Sequence, residues 1–141
     1  MKFKEALKQG KRHEKIVLNR LKKAYPSAYM VEGYFKEYDI FIPEINKSVE
    51  VKSDEKSKYT GNIVIEISFG GKQSALSTTK ADFWIIYDGF DYNVFETNII
   101  RKCVIENNLK VVTFIGNGDV KSKEAFLVPK KILYKYKYEF A

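Results

Sequence analysis

Residues 38 to 52, YDIFIPEINKSVEVK, form the most strand-like segment of the chain and predict two apolar strands around a turn. Charged residues interrupt this segment at Asp39, Glu50 and Lys52. Successive side chains of a strand point to opposite faces, so Glu50 and Lys52 share one face. Two carboxylates and one amine therefore lie within a hairpin that is otherwise suited to the core of a protein.

The register of this hairpin decides which charges meet. If Pro43 to Asn46 form a four-residue connection, Asp39 pairs directly with Glu50, and like charges in that position destabilise a sheet. At about 5 Å and an effective dielectric constant near 20, the repulsion is on the order of 3 kcal/mol. A divalent cation would relieve the repulsion, and carboxylate oxygens suit Mg²⁺ or Mn²⁺. A register shifted by two residues instead places Asp39 opposite Lys52 as an ordinary ion pair, and both registers remain open.

A third carboxylate belongs to the first predicted helix, which covers residues 3 to 25 and stops before Pro26. Its apolar stripe consists of Val17, Leu18, Leu21 and Tyr25. Glu14 lies three to four residues before the first members of this stripe and is expected to face the core. A buried carboxylate is costly unless it is paired or bound to a metal. The alternative is that Glu14 lies at the frayed end of the stripe and reaches solvent or Lys11.

The remaining segments predict further strands and one more helix. Strands are expected at 29–35, 62–68 and 82–87, a helix within 93–108, a hairpin within 110–129 with a Gly-Asn-Gly turn, and a strand or short helix after 129. This order predicts an α/β fold with a mixed central β-sheet flanked by helices. A length of 141 residues predicts one domain spanning residues 1–141.

The charge distribution suggests a polyanionic partner. The formal net charge is +7, and basic residues concentrate in the segments 2–23 and 130–137. Simple solubility is the alternative explanation for such a charge. His13, the only histidine, is expected on the surface or facing DNA.

Several classes of protein are excluded by composition. The single cysteine, Cys103, rules out an internal disulfide and a cysteine-rich zinc site, and is expected in the core. No apolar run is long enough for a membrane-spanning helix, and the N-terminus has no apolar core of a signal peptide. These features predict a cytoplasmic protein, in the host cytoplasm if the protein is viral.

The charged residues together carry a family resemblance. A helical Glu14, Asp39 at a strand start and Glu50-Val51-Lys52 on the next strand resemble the PD-(D/E)XK nuclease superfamily, whose core is restriction-endonuclease-like. Tyr38 stands where that family loosely keeps a proline. The resemblance covers roughly residues 10 to 90. The segment 61–89, GNIVIEISFGGKQSALSTTKADFWIIYDG, is similar to small phage and mobile-element members.

The resemblance implies a role for each of these residues. Asp39, Glu50 and the Val51 carbonyl would hold Mg²⁺, for which Mn²⁺ can substitute, and Glu14 would bind it directly or through water. Lys52 would orient the attacking water or stabilise the charge that develops on the phosphate. The implied catalytic residues are therefore Glu14, Asp39, Glu50 and Lys52.

The loop after the predicted strand 62–68 has the composition of a phosphate-contacting loop. It contains glycines, hydroxyl groups and two lysines but lacks the P-loop pattern. The candidate DNA contacts are Lys72, Gln73, Thr78 and Lys80. Glu66, in the strand before this loop, is either an additional metal ligand or simply exposed.

The function that these observations predict is metal-dependent hydrolysis of DNA. A chain of this size without a separate recognition domain favours structure-selective cutting of branched DNA, as in Holliday-junction resolvases, which act as homodimers. Two other interpretations remain open. One is a nucleic-acid-binding protein that kept the fold and lost the activity, and the other is a non-catalytic viral accessory protein.

Overall fold

The computed structural model describes residues 3–34, 36–116 and 119–140. Its helices are α1 (Phe3–Ala24), α2 (Ser57–Thr60), α3 (Thr97–Glu106) and α4 (Lys130–Leu133). Its strands are β1 (Tyr29–Met30), β2 (Ile40–Ile42), β3 (Lys47–Ser53), β4 (Asn62–Phe69), β5 (Lys72–Gln73), β6 (Phe83–Tyr87), β7 (Tyr92–Glu96), β8 (Val111–Phe114) and β9 (Lys123–Pro129). Short 3-10 turns cover Pro43–Ile45, Ala75–Ser77 and Tyr134–Tyr136.

The strands form two sheets. One has the order β1-β2-β3-β6-β7 and the other β5-β4-β9-β8. Within the first sheet β3 pairs in parallel with β6, and its other ladders are antiparallel. The predicted α/β fold with a mixed sheet flanked by helices is therefore confirmed. The prediction of one central sheet is wrong, because β4 pairs with β9 in the second sheet and not with β3.

The hairpin of β2 and β3 has the four-residue connection that its sequence predicted. Ile40 pairs with Val49, and Ile42 pairs with Lys47. Asn46 closes the turn in the left-handed conformation with φ 51°, which asparagine tolerates better than most residues. Extended by one position, this register sets Asp39 opposite Glu50, so the register shifted by two residues is wrong.

Helix α1 and the first sheet enclose one of two apolar cores. Val17 and Leu21 of α1 pack with Ile40 and Val49 of the sheet. Lys22 and Lys23 lie in the last turn of α1, where positive charge complements the helix dipole. The other core lies around Trp84 and Phe95 and receives the apolar faces of the second sheet and α3. As a result, β6 is covered on both faces.

Other predicted elements agree in kind and differ in extent. The first strand ends at Met30 rather than at residue 35, and Phe35 lies outside the described residues. The hairpin of β8 and β9 is confirmed by its pairing, whereas residues 117 and 118 of its expected turn lie outside the described residues. Strand β7 was not predicted, and the chain after β9 forms the short helix α4.

Cys103 is fully buried, as expected. In the described parts of the chain, no helix combines the length and apolar character needed to cross a membrane.

Candidate active site

A cleft of about 550 Å³ lies beside the first residue of the short strand β2, beyond which the edge of β3 is left uncovered. Its lining consists of Glu14, Lys36, Glu37, Asp39, Glu50, Val51, Lys52, Glu66, Ala75, Thr78, Thr79 and Lys80. All of the residues predicted to be catalytic or metal-binding thus face one space. They come from α1, from the segment that enters β2 and from β3.

Asp39 is held against β3 by a backbone hydrogen bond. The Val51 N–H donates to Asp39 Oδ2 at 2.7 Å, and the Asp39 N–H donates to the Val49 carbonyl at 2.9 Å. The N–H and C=O of one strand residue point to the same side of the strand. The Val51 carbonyl therefore points toward the cleft as well, where it is available as a ligand.

Glu14 and Asp39 converge on the ammonium group of Lys36. The Nζ atom lies 3.2 Å from Glu14 Oε1 and 3.1 Å from Asp39 Oδ1. The side chains of Glu14 and Asp39 are only 14% and 13% exposed. The predicted alternative for Glu14, a frayed position in contact with solvent or Lys11, is thus wrong.

The charges in this group shift each other's protonation. Burial and the neighbouring Asp39 carboxylate raise the pKa of Glu14, although Lys36 acts in the opposite direction. Burial by itself would lower the pKa of Lys36, but its hydrogen bonds and charge interactions with Asp39 and Glu14 outweigh burial and raise it. Lys36 therefore remains a cation that two converging carboxylates share.

Glu50 and Lys52 form a second charged pair on the face of β3 opposite to α1. Lys52 Nζ lies 2.9 Å from Glu50 Oε2 and 5.0 Å from the ring centroid of Trp84, a cation–π arrangement. The Thr79 hydroxyl donates to Glu50 Oε1 at 3.4 Å and accepts from Trp84 Nε1 at 3.3 Å. Glu50 is therefore oriented from both sides, by a charge and by a hydroxyl.

The composition of the cleft suits a hard divalent cation. Its lining carries five carboxylates and three lysines, a formal charge of −2, on a chain whose net charge is +7. The carboxylates of Glu14 and Asp39 already share one cation, Lys36 Nζ, and oxygen donors are what Mg²⁺ and Mn²⁺ prefer. Within the described ranges no three acidic, histidine or cysteine side chains are close enough to hold a metal, and Glu50 is paired with Lys52.

The predicted DNA contacts divide into two pairs. Thr78 and Lys80 line the cleft. Lys72 and Gln73 form the exposed strand β5 and are not part of this lining. Glu66 does line the cleft, where it accepts a hydrogen bond from Ser74 at 2.6 Å and lies 3.5 Å from Lys123 Nζ. The partners of Glu66 therefore differ from those of Glu14, Asp39 and Glu50.

His13 is buried, which corrects its predicted surface position. Its Nδ1 lies 2.6 Å from the Tyr92 hydroxyl, and its ring lies 4.6 Å from the ring of Tyr87. Burial, together with the nearby Arg12, lowers the pKa of His13. The side chain therefore helps to dock α1 onto the first sheet.

Lys36 and Thr79, which line the cleft and bond the predicted carboxylates, were not predicted from the sequence. Lys36 lies in the segment before β2, three residues from Asp39, and that proximity was its one signal. Thr79 belongs to the hydroxyl-rich loop, but the residue predicted there as a DNA contact was its neighbour Thr78. Only the folded chain brings Thr79 within reach of Glu50, which is 29 positions away.

Comparisons of the chain with protein-family models, curated proteins and solved structures found no match.

Proposed function

We propose that this protein hydrolyses DNA phosphodiester bonds in a metal-dependent reaction, as a structure-selective endonuclease of the PD-(D/E)XK type such as a Holliday-junction resolvase. The observation that carries the proposal is the convergence of Glu14 and Asp39 on one cation, beside Glu50 and the edge of β3 at Val51. A structural ion pair would not need a third carboxylate and an uncovered backbone carbonyl next to it.

The residues that would hold the cation are Asp39, Glu50 and the Val51 carbonyl, with Glu14 as a direct or water-mediated ligand. To join this group, Glu50 would have to turn away from Lys52, and Lys36 would have to release Glu14 and Asp39. When bound, Mg²⁺ would lower the pKa of a coordinated water and offset the negative charge of the phosphate. Lys36 would then offer a second positive charge to the nucleic acid.

Lys52 is suited to stabilise charge on the phosphate. Its ammonium lies 2.9 Å from the Glu50 carboxylate and 5.0 Å from the centroid of the Trp84 ring, and these two contacts position it in the cleft. A fixed positive charge at this distance from the metal ligands stabilises the negative charge that develops on the phosphate oxygens during attack. We therefore assign Lys52 an electrostatic role.

A basic face on α1 supports a nucleic-acid substrate. An α-helix turns about 100° per residue, so five exposed lysines fall within roughly 60° of its circumference. We name them the lysine stripe: Lys4, Lys8, Lys11, Lys15 and Lys22. Such a row matches the repeated charges of a phosphate backbone. Because α1 also carries Glu14, the stripe leads DNA to the cleft.

A cleavage assay tests the proposal. Labelled linear duplex, single-stranded, flap and four-way-junction DNA are incubated with Mg²⁺, Mn²⁺ or EDTA. We expect metal-dependent cutting, strongest on a branched substrate, and its loss by a factor of about a hundred or more in Glu50→Gln and Lys52→Met. The matched controls are Glu55→Gln and Lys47→Met, which remove the same charges outside the cleft.

One observation favours a second candidate function, DNA binding without cleavage. Lys36 and Lys52 pair with three carboxylates of the cleft, so these carboxylates have partners within the chain itself. Salt-sensitive binding with no cutting on any substrate would establish this second function and exclude the first.

Cutting both strands of a junction needs two sites, so the nuclease is expected to be a homodimer on its substrate, which light scattering of the complex would measure.

A further inference from the structure

A second groove opens beside the cleft, between α1 and the segment that precedes β2. It measures about 650 Å³ and shares Glu14 and Lys36 with the cleft. The two spaces therefore adjoin, and a group bound in the groove would lie next to the proposed scissile phosphate. We name this space the side groove.

The side groove exposes apolar surface to solvent. Tyr34 is fully exposed (101%), and Leu7 is 51% exposed. Because the Tyr34 ring is fully accessible to solvent, it can stack on a ligand without disrupting the packing of the described residues. An exposed tyrosine beside a basic surface is the type of platform on which nucleobases stack.

The α1 side of the side groove contains a glycine, Gly10. Gly10 lies in the middle of α1, where glycine weakens a helix relative to alanine. A Cβ placed on Gly10 would meet no atom within 4 Å, so packing within this chain does not require glycine there. The missing side chain instead leaves room in the side groove.

The charges around the side groove fit a nucleotide. Lys11 belongs to the lysine stripe, and Lys36 stands at the junction with the cleft. Lys36 is already bonded to Glu14, so Lys11 is the lysine of this lining that can face a phosphate beside the base, while Glu14 and Glu32 are its carboxylates. A neutral flat ring next to an anion therefore complements this surface better than an apolar peptide or a lipid does.

We propose that the side groove binds one unpaired nucleobase, stacked on Tyr34, next to the phosphate in the cleft. This inference rests on the proposed nuclease function and specifies its substrate class. A base that is paired within a continuous duplex cannot enter the groove. The substrate is therefore DNA with an unpaired nucleotide beside the cutting site, as in single strands, flaps and open junctions.

Binding measured in EDTA separates the inference from catalysis. Fluorescence anisotropy compares a single-stranded oligonucleotide with the same oligonucleotide whose central bases are replaced by abasic sites. Single 2-aminopurine substitutions at successive positions report stacking by quenching of their fluorescence. We expect the base-containing strand to bind about five- to a hundredfold more tightly, with quenching at one position.

Substitutions at Tyr34 and Gly10 test whether the preference for base-containing strands arises in the side groove. Tyr34→Ala and Gly10→Leu are expected to remove the preference for bases, whereas Tyr34→Phe retains it. Gly10→Ala adds only a methyl group, so it should preserve binding. It should also raise the thermal midpoint of unfolding, because alanine stabilises a helix more than glycine does. Tyr59→Ala, at an equally accessible tyrosine on α2 (82% exposed), is the matched control and should change nothing.

The outcomes distinguish the two proposals. Equal affinity for base-containing and abasic strands, or an equal loss in Tyr34→Ala and Tyr59→Ala, would overturn the side groove as a base site. Base-dependent binding without cleavage in Mg²⁺ would support the side groove and overturn the nuclease. Efficient cutting of continuous duplex that Tyr34→Ala leaves unchanged would overturn only the side groove.

Discussion

Lys36 Nζ lies 3.1 Å from Asp39 Oδ1, and the same ammonium group also bonds Glu14 at 3.2 Å. Lys36 therefore joins the segment before β2 to α1 through the two carboxylates that the sequence had marked as metal ligands. A lysine and a divalent cation are alternative partners for such a pair, because each supplies positive charge to converging oxygens. This competition has measurable consequences.

Lys36→Met is expected to lower the free energy of unfolding in EDTA by on the order of 2 kcal/mol, because two partly buried carboxylates lose their partner. Mg²⁺ or Mn²⁺ should then stabilise the variant more than it stabilises the wild type, since the ammonium no longer competes for the oxygens. Urea unfolding with and without the metal measures both effects.

The exposed Lys110 offers a matched control for this comparison. Lys110→Met removes the same charge away from the cleft and should leave both quantities unchanged. If Mg²⁺ raised the stability of wild type and Lys36→Met equally, the lysine and the metal would not be competing for one position.

Thr79→Val is expected to reduce cleavage about tenfold and stability by about 1–2 kcal/mol. The Thr79 hydroxyl orients Glu50 and accepts from Trp84 Nε1 and the Ala81 N–H, at 3.3 and 3.2 Å. Valine keeps the shape and leaves both donors without an acceptor. Thr79→Ser retains the hydroxyl and should keep most of the activity, and a serine variant as impaired as the valine variant would exclude the hydroxyl as the cause.

The buried Asp88 is expected to make the fold acid-sensitive. Burial by itself would raise its pKa, but hydrogen bonds from Tyr134, from the backbone of Asp91 and Phe90, and from Asn93 lower it from 3.8 to about 2. The unfolded chain therefore binds the proton more tightly, so this contribution is complete above about pH 4 and is lost as the pH falls toward 2. Its size is on the order of 2 kcal/mol.

Asp88→Asn measures this contribution. The difference in unfolding free energy between wild type and variant should be largest at pH 6 and should shrink as urea unfolding is repeated down to pH 3. Tyr134→Phe removes one donor, whose hydroxyl lies 2.6 Å from Asp88 Oδ2, and should show a weaker acid dependence. A difference that stayed constant with pH would mean that Asp88 titrates alike in both states.

The lysine stripe is expected to set the salt dependence of DNA binding. Replacing Lys8 and Lys15 by alanine should reduce the slope of log K against log salt by about 2 on duplex DNA, since each phosphate contact contributes about 0.9. Anisotropy titrations between low and moderate salt in EDTA measure the slope. The pair Lys102→Ala and Lys110→Ala lowers the net charge equally, and an identical change in slope there would assign the effect to net charge alone.

Sequence patterns predicted the parts of the site that depend on neighbours in the chain. The period of α1 placed Glu14 at the core-facing side, and the alternation in β3 placed Glu50 and Lys52 on one face. The length of the connection at Pro43–Ile45 and Asn46 determined the register of the hairpin. Each of these properties follows from local geometry, which the order of residues specifies directly.

The burial of His13 and the second sheet depended on contacts between distant residues. His13 was expected at the surface because it lies among basic residues, yet its partner Tyr92 is 79 positions away. Strand β4 alternates like any half-buried strand, so its pattern could not specify that β9 rather than β3 would be its neighbour.

The sequence by itself determined the helix, the hairpin and the set of carboxylates, because periodicity and turn chemistry act over a few residues. Only the tertiary structure decided that Lys36 lies between Glu14 and Asp39, that Thr79 orients Glu50, and that the side groove opens beside them. These arrangements depend on how α1, the segment before β2 and the loop after β5 pack on the edge of β3. The free energy of that packing comes from burying apolar surface shared by elements far apart in the chain.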